Sequence, residues 1–210
     1  MQNPVYDART AGKGNFGDLP EWDLTDLYPS PDSTEITRDL DWLSKECAAF
    51  AVDYQGKLAD LDAAGLLKAV QRYEQIDVTA GRIMSYAGLR YYQITTDSSR
   101  AKFMADCQDK ITRFTTPLVF YGLEFNRLDD EHLAELLAAN ADLARYKPVF
   151  DRMRAMKPHQ LSDELEQFLH DQSTVGAAAW NRLFDETMAG LEFVVDTDVL
   201  GLEETLNLLT

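Results

Sequence analysis

Apolar residues recur in this chain at steps of three and four over most of its length, and that period commits it to packed helices. The clearest run covers residues 32–54, where Ile36, Leu40, Leu43, Cys47, Phe50 and Tyr54 share one helical face. Asp32 and Glu35 offer a capping-box variant at its start and Gly56 a stop. A second helix opens at Asp62 and carries Leu66, Val70, Tyr73 and Ile76. A break is expected between Asp77 and Gly81, after which Ile83, Tyr86 and Leu89 resume the period to about Tyr92. Thr95, Thr96, Asp97 and Ser98 are turn and cap chemistry, and a long helix with Phe103, Cys107, Ile111 and Phe114 follows. Pro117 should kink that helix rather than end it, because Leu118, Tyr121 and Phe125 continue its apolar face. Two shorter helices are predicted at 129–139 and 143–156, the latter with Pro148 near its first turns.

The stretch 156–209 reads as the part around which the rest is organised. Ser162 can cap a helix whose first turn holds Asp163 and Glu164, where acid suits the positive end of the backbone dipole. Leu165, Phe168 and Leu169 then share a face. The small residues from Val175 to Ala179 would let another backbone come close, and Trp180, Leu183 and Phe184 restore a large apolar face. Leu191-Glu-Phe-Val-Val195 alternates, Asp196-Thr197-Asp198 is a turn, and Val199-Leu200 starts the return of a small hairpin. A last helix begins at Leu202 and is cut off at Thr210, too short to stand alone, so a segment of a longer protein is inferred. The fold class is mainly α: a helical bundle with a small β-hairpin near the C-terminus.

At the other end, residues 1–18 are polar with scattered glycine and read as a flexible tail. Gly12-Lys-Gly14-Asn-Phe-Gly17 fits a dinucleotide fingerprint literally, but no strand precedes it and Pro20 follows, so it reads as tail. Residues 19–31 hold Trp22, Leu24, Leu27 and Tyr28 between prolines, as expected of a strap packed on the core.

A formal charge of -16 repels phosphate backbones and anionic lipid, which argues against nucleic-acid or membrane partners. No apolar run is long enough to span a bilayer and no signal peptide is apparent. Cys47 and Cys107 both lie within amphipathic patterns, so buried free thiols in a reducing compartment are expected, and with them a cytoplasmic location.

No self-sufficient catalytic constellation is visible. The chain has no His-Glu-x-x-His, no Gly-x-Ser-x-Gly and no P-loop. Its histidines are His132, His159 and His170. His132, after Asp129, Asp130 and Glu131, reads as a solvated, charge-paired residue, and His159 as a hydrogen-bonding residue at a helix junction. His170 and Glu166 stand four apart and read as an ordinary surface pair, since no third metal ligand is near in sequence. Asp185 or Glu186 is expected to pair with Arg182 or another base at a buried edge. Tyr86, Leu89 and Tyr92 form an aromatic stripe that reads as core. Catalytic and metal residues are therefore assigned to none of these positions, and substrate-binding residues stay unassigned.

Five blocks, in order, carry a resemblance. They are Pro20-Glu-Trp-Asp-Leu-Thr-Asp-Leu-Tyr28, Ser85-Tyr86-Ala87-x-Leu89-x-Tyr91, Pro158-His159-x-Leu161-Ser162, Ala179-Trp180-x-Arg182-Leu183-Phe184-Asp185-Glu186 and Leu202-Glu203-Glu204-x-Leu206-x-Leu208-Leu209. Together they resemble the N-terminal half of oligoendopeptidase F, of the thimet-type zinc metallo-oligopeptidases. That resemblance implies a cytoplasmic, zinc-dependent enzyme that cuts short peptides in a channel between two largely helical halves. The zinc ligands would lie in a C-terminal catalytic half, and this segment would supply a wall of the channel, with no zinc and no activity of its own. The family usually has Gly in the hairpin turn where this chain has Thr197, which puts a tight turn in doubt. The resemblance divides the chain into a tail at 1–18, a helical domain at 19–190, and a hairpin with the start of the next helix at 191–210. Partners would be the oligopeptide substrate and the catalytic half, and a face meant for that half would favour self-association. The alternative is a stand-alone helical protein-interaction domain.

Overall fold

The computed structural model describes residues 23–209. The tail, the Gly12–Gly17 run and Trp22 of the strap lie outside the described residues. The chain runs as helices α1 (Thr34–Tyr54), α2 (Ala63–Gln93), α3 (Ser98–Thr115), α4 (Val119–Arg127), α5 (Asp130–Ala139), α6 (Ala141–Ala144), α7 (Lys147–Ala155), α8 (Asp163–Gln172) and α9 (Ala177–Ala189). Strands β1 (Glu192–Val195) and β2 (Asp198–Gly201) pair antiparallel, and α10 (Leu202–Leu206) follows. The mainly α class with a small C-terminal hairpin is thus the observed one.

Local chemistry sets most boundaries. Ser33, not Asp32, caps α1 by accepting from the Ile36 amide at 3.4 Å. Beyond its end, Gly56 takes φ +75°, a conformation that suits glycine, and its amide donates to Glu124 Oε1 at 2.7 Å. Asp62 caps α2 through the Gly65 amide at 2.7 Å, and Asp97 caps α3 through Ser99 at 2.8 Å. No break interrupts α2 at 77–81: Ile76, Ala80 and Ile83 are buried on one continuous face, which holds the helix through the exposed Gly81. Pro117 does redirect the chain. A 3₁₀ turn at Thr116–Leu118 separates α3 from α4, and the Thr115 and Thr116 hydroxyls bond back to Ile111 and Thr112 carbonyls at 2.9 Å.

The predicted helix at 143–156 is split. Pro148 has no amide to continue a helix from α6, so α7 starts afresh at Lys147 with proline in its first turn. In the hairpin only Asp196 has positive φ, at 56°, so Thr197 needs no left-handed conformation and a two-residue turn forms without glycine.

Two apolar clusters make the core. One joins α1, α2, α3 and the start of α4 through Leu43, Cys47, Phe50, Ile83, Tyr86 and Tyr121. The other joins the start of α2, the end of α4 and α5–α7 through Leu66, Phe125, Leu143 and Phe150. Tyr28 of the strap is buried, donates to Asp39 Oδ2 at 2.8 Å and meets Tyr86 edge-on, while the Arg82 guanidinium lies 4.5 Å above its ring. Packing is therefore the strap's role at this residue. Arg72 of α2 bonds Glu46 and Asp53 of α1, and its guanidinium lies over the rings of Phe50 and Tyr54.

Phe150 is the last buried residue among those described. The stretch 156–209, expected to organise the fold, instead lies outside both clusters. Trp180 is 69% exposed and Phe184 64%. Its apolar period is real, but no element of the described chain covers that face.

Phe50→Ala should lower unfolding free energy by about 3–5 kcal/mol, and Trp180→Ala should leave it within about 0.5 kcal/mol. Urea unfolding followed by far-UV circular dichroism reads both, and equal losses would contradict this placement of the core. Cys47 and Cys107 are free and buried, and burial pushes each thiol up to about 11. Native thiols should react with a disulfide reagent at neutral pH at least about a hundredfold slower than in urea. Because their folded pKa lies above the ordinary 9.0, stability is fully present below pH 9 and should fall as pH rises toward about 11.

Candidate functional site

The histidines stand on separate elements. His132 sits in the first turn of α5, where its amide donates to Asp129 Oδ1 at 3.0 Å. Its ring is half-buried, not solvated, and Nε2 has no hydrogen-bond partner among the described residues. His159 ends a 3₁₀ turn at Lys157–His159; its backbone amide, bonded to the Met156 carbonyl at 2.9 Å, makes the junction contact. His170 does not pair with Glu166. Its Nε2 lies 3.1 Å from Thr115 Oγ1, while Glu166 reaches back to accept from the Leu161 amide at 2.8 Å. That bond also replaces the expected cap: the Ser162 side chain makes no capping bond. No group of three or more His, Cys, Asp or Glu side chains among the described residues is arranged to hold a metal ion.

Nor does the aromatic stripe fall as expected. Tyr86 is core, but Leu89 and Tyr92 are exposed, and Tyr91 takes the buried place. The Tyr91 hydroxyl is buried without a partner. Burial first, then the charges of Glu186 and Asp185, raise its pKa above the ordinary phenol value. These two acids thus act on Tyr91 of α2, where an ion pair with Arg182 was expected.

The arm formed by α8 and α9 is the feature that bears on function. It meets the bundle through polar groups. Thr116 Oγ1 donates to Asp171, Arg127 Nη1 to Asp163 Oδ2 at 3.1 Å, and Gln160 Nε2 to the Leu123 carbonyl at 3.4 Å. The Arg127 guanidinium holds the Asp163 carboxyl below its ordinary range. Leu165, Phe168, Leu169, Trp180, Leu183 and Phe184 all remain exposed. A single exposed leucine is ordinary, but a large apolar surface along two successive helices marks a contact face. The small residues at 175–179 serve a local purpose. At Gly176 a Cβ would come within 2.9 Å of the Gln172 carbonyl, so the close backbone is that of α8's own last turn.

A second concavity lies between α2 and α7, lined in part by Tyr73, Glu74, Asp77, Tyr121 and Arg152. The period marks Tyr73 and Tyr121 as helix-face residues and nothing more, and Arg152 carries no motif. The one sequence signal is Glu74 and Asp77, three apart on one helix face.

The family model described as Oligopeptidase F matches residues 124–193, a span that runs from α4 through the arm into β1. The group B oligopeptidase PepB of Streptococcus agalactiae is 25% identical over 76% of this chain and 26% of its own length. The plasmid-encoded oligoendopeptidase F of Lactococcus lactis subsp. cremoris is 24% identical over 88% of this chain and 30% of its own. The chain thus spans less than a third of the length of these curated relatives. The crystal structure of oligoendopeptidase-F from Enterococcus faecium superposes with a TM-score of 0.68 at 20% identity, over 80% of this chain and 34% of that one. At that identity the superposition speaks for the fold. Family model, curated relatives and fold all liken this chain to the N-terminal domain of oligoendopeptidase F.

Proposed function

We propose that this chain is the non-catalytic N-terminal part of a zinc-dependent oligoendopeptidase that hydrolyses short peptides, and that it forms one wall of the substrate channel. The observation that carries the reading is the α8–α9 arm: its apolar face is exposed within the very span that the family model matches. Relatives about three times as long provide a remainder able to cover such a face. The division into a tail at 1–18, a helical domain at 19–190 and a hairpin segment at 191–210 belongs to this reading, as does a cytoplasmic location. No helix among the described residues is long and apolar enough to cross a membrane.

The residues present do not fit a zinc site. His132, His159 and His170 sit on α5, a 3₁₀ turn and α8, and no third donor converges on any of them among the described residues. No catalytic step is routed through this segment, and its part in the reaction is to shape the channel and to hold the catalytic half. Purified chain incubated with zinc and dialysed should carry well under one equivalent of metal and should leave a fluorogenic oligopeptide uncut. One tightly bound zinc per chain, or hydrolysis that follows the chain through purification, would overturn the proposal.

The same exposed face should drive self-association when nothing covers it. At about 100 μM the chain should scatter light as more than a monomer, and Trp180→Glu with Phe184→Glu should return it to monomer. A monodisperse monomer at that concentration would count against the face. A stand-alone interaction domain draws on the same surface, and a reading frame encoding His-Glu-x-x-His downstream of Thr210 separates the two readings.

A further inference from the structure

The concavity between α2 and α7 opens at the seam of the two apolar clusters, with a volume of about 360 Å³. Its floor is Val70, Tyr121 and Phe150, all buried. Glu74 and Asp77 from α2 and Arg152 from α7 stand exposed at its mouth. The Tyr146 hydroxyl donates to Glu74 Oε2 at 2.7 Å and holds that carboxylate in place. An adjoining cavity of about 510 Å³ shares Glu74 and Tyr146.

Three features of this cleft call for a ligand of one kind. First, Glu74 and Asp77 are like charges three residues apart on one helix face, a weak mutual repulsion that a bound cation would relieve. Neither is in an ion pair among the described residues, and Arg152 at the rim is likewise unpaired there. Second, Tyr121 is 3% exposed, yet its hydroxyl makes no hydrogen bond to a described residue and the side chain lines the cleft. The hydroxyl is not sealed off like that of Tyr91, so a ligand in the cleft can reach it. Third, Tyr73 and Tyr121 stack at 4.3 Å, which presents electron-rich rings beside the two acids. Val149, Phe150 and Met153 add apolar surface for a stem.

We propose that this cleft binds an organic cation, a primary ammonium or guanidinium on an unbranched alkyl stem. The head group sits between Glu74 and Asp77 and donates toward the Tyr121 hydroxyl, and the stem lies on Val149 and Met153. A lysine or arginine side chain of a peptide and a free alkyl diamine share this chemistry. Arg152 competes for the same carboxylates. The inference concerns this face of the bundle alone and does not rest on the peptidase reading.

Isothermal titration of the full chain at low salt tests it. The probes are cadaverine, the peptide acetyl-Gly-Lys-Gly-amide, and the same peptide with norleucine for lysine. Saturable binding is expected for at least one cation and none for the norleucine peptide. Binding of the lysine peptide alone identifies a peptide ligand, and of cadaverine alone a free amine. Glu74→Gln should weaken binding at least tenfold and Tyr121→Phe severalfold, while Arg152→Gln should tighten it. Tyr121→Phe keeps the stacked ring, and circular dichroism establishes that each variant is folded. Absence of saturable binding, equal binding of the norleucine peptide, indifference to Glu74→Gln, or weaker binding in Arg152→Gln would each overturn the proposal.

Discussion

A continuous chain of aromatic rings joins the two halves of the core. Phe50 of α1 meets Tyr121 of α4 at 5.6 Å, Tyr121 stacks on Tyr73 of α2 and approaches Phe125, and Phe125 lies 4.6 Å from Phe150 of α7. Ring pairs at these separations add to the area they bury, and each ring here also belongs to a helix that one of the two clusters needs. Helix α4 is the link, with Tyr121 in one cluster and Phe125 in the other. Its C-terminal carbonyls at Phe125 and Leu128 accept from Arg154 of α7 at 3.1 and 2.7 Å, so the helix that joins the clusters is also capped by the helix it joins them to. The bend at Pro117 gives α4 this position. A straight continuation of α3 would carry Phe125 along the axis of the first cluster and away from the second.

The region after Phe150 follows a different rule. In the bundle, apolar side chains face inward and ion pairs such as Arg72 with Glu46 and Asp53 ride on the outside. In the arm, His170, Asp171 and Asp163 face the bundle and the aromatic residues face away. Exposed ion pairs and hydroxyl contacts contribute little each, so the arm's attachment is weak beside the bundle's own cohesion. An arm of this kind gains most of its stability from whatever covers it. Its sequence still folds locally: Glu166 caps α8, and Glu204 accepts from the Gly201 amide to begin α10 at 3.0 Å.

Periodicity read along the chain was a good guide to helices and a poor guide to burial. The faces of α1 and of α2 on either side of 77–81 were legible because their apolar residues recur at helical steps, and the helix starts near Asp62, Asp97 and Asp129 were legible because each precedes such a run. The supposed break at 77–81 came from reading glycine and polar residues as punctuation, whereas buried Ile76, Ala80 and Ile83 overrode local propensity. At Ser162 the cap was assigned to the right place and the wrong atom: a glutamate four residues on is long enough to reach the free amide of Leu161. His170 found Thr115, a partner 55 residues away that no local pairing rule supplies. The cleft beside Glu74 was illegible for the same reason, since α2, α4 and α7 contribute to it jointly.

By itself the sequence determined a helical chain with a terminal hairpin, the approximate starts of its longer helices, its buried thiols and, through five ordered blocks, its likeness to one peptidase family. These are local or cumulative properties, set by side-chain spacing and by residue identity along the chain. Tertiary structure decided which apolar faces become core and which remain open. An apolar face looks the same in sequence whether its partner is present or absent, and only packing shows that Leu43 and Phe50 have neighbours on every side while Trp180 and Phe184 face outward.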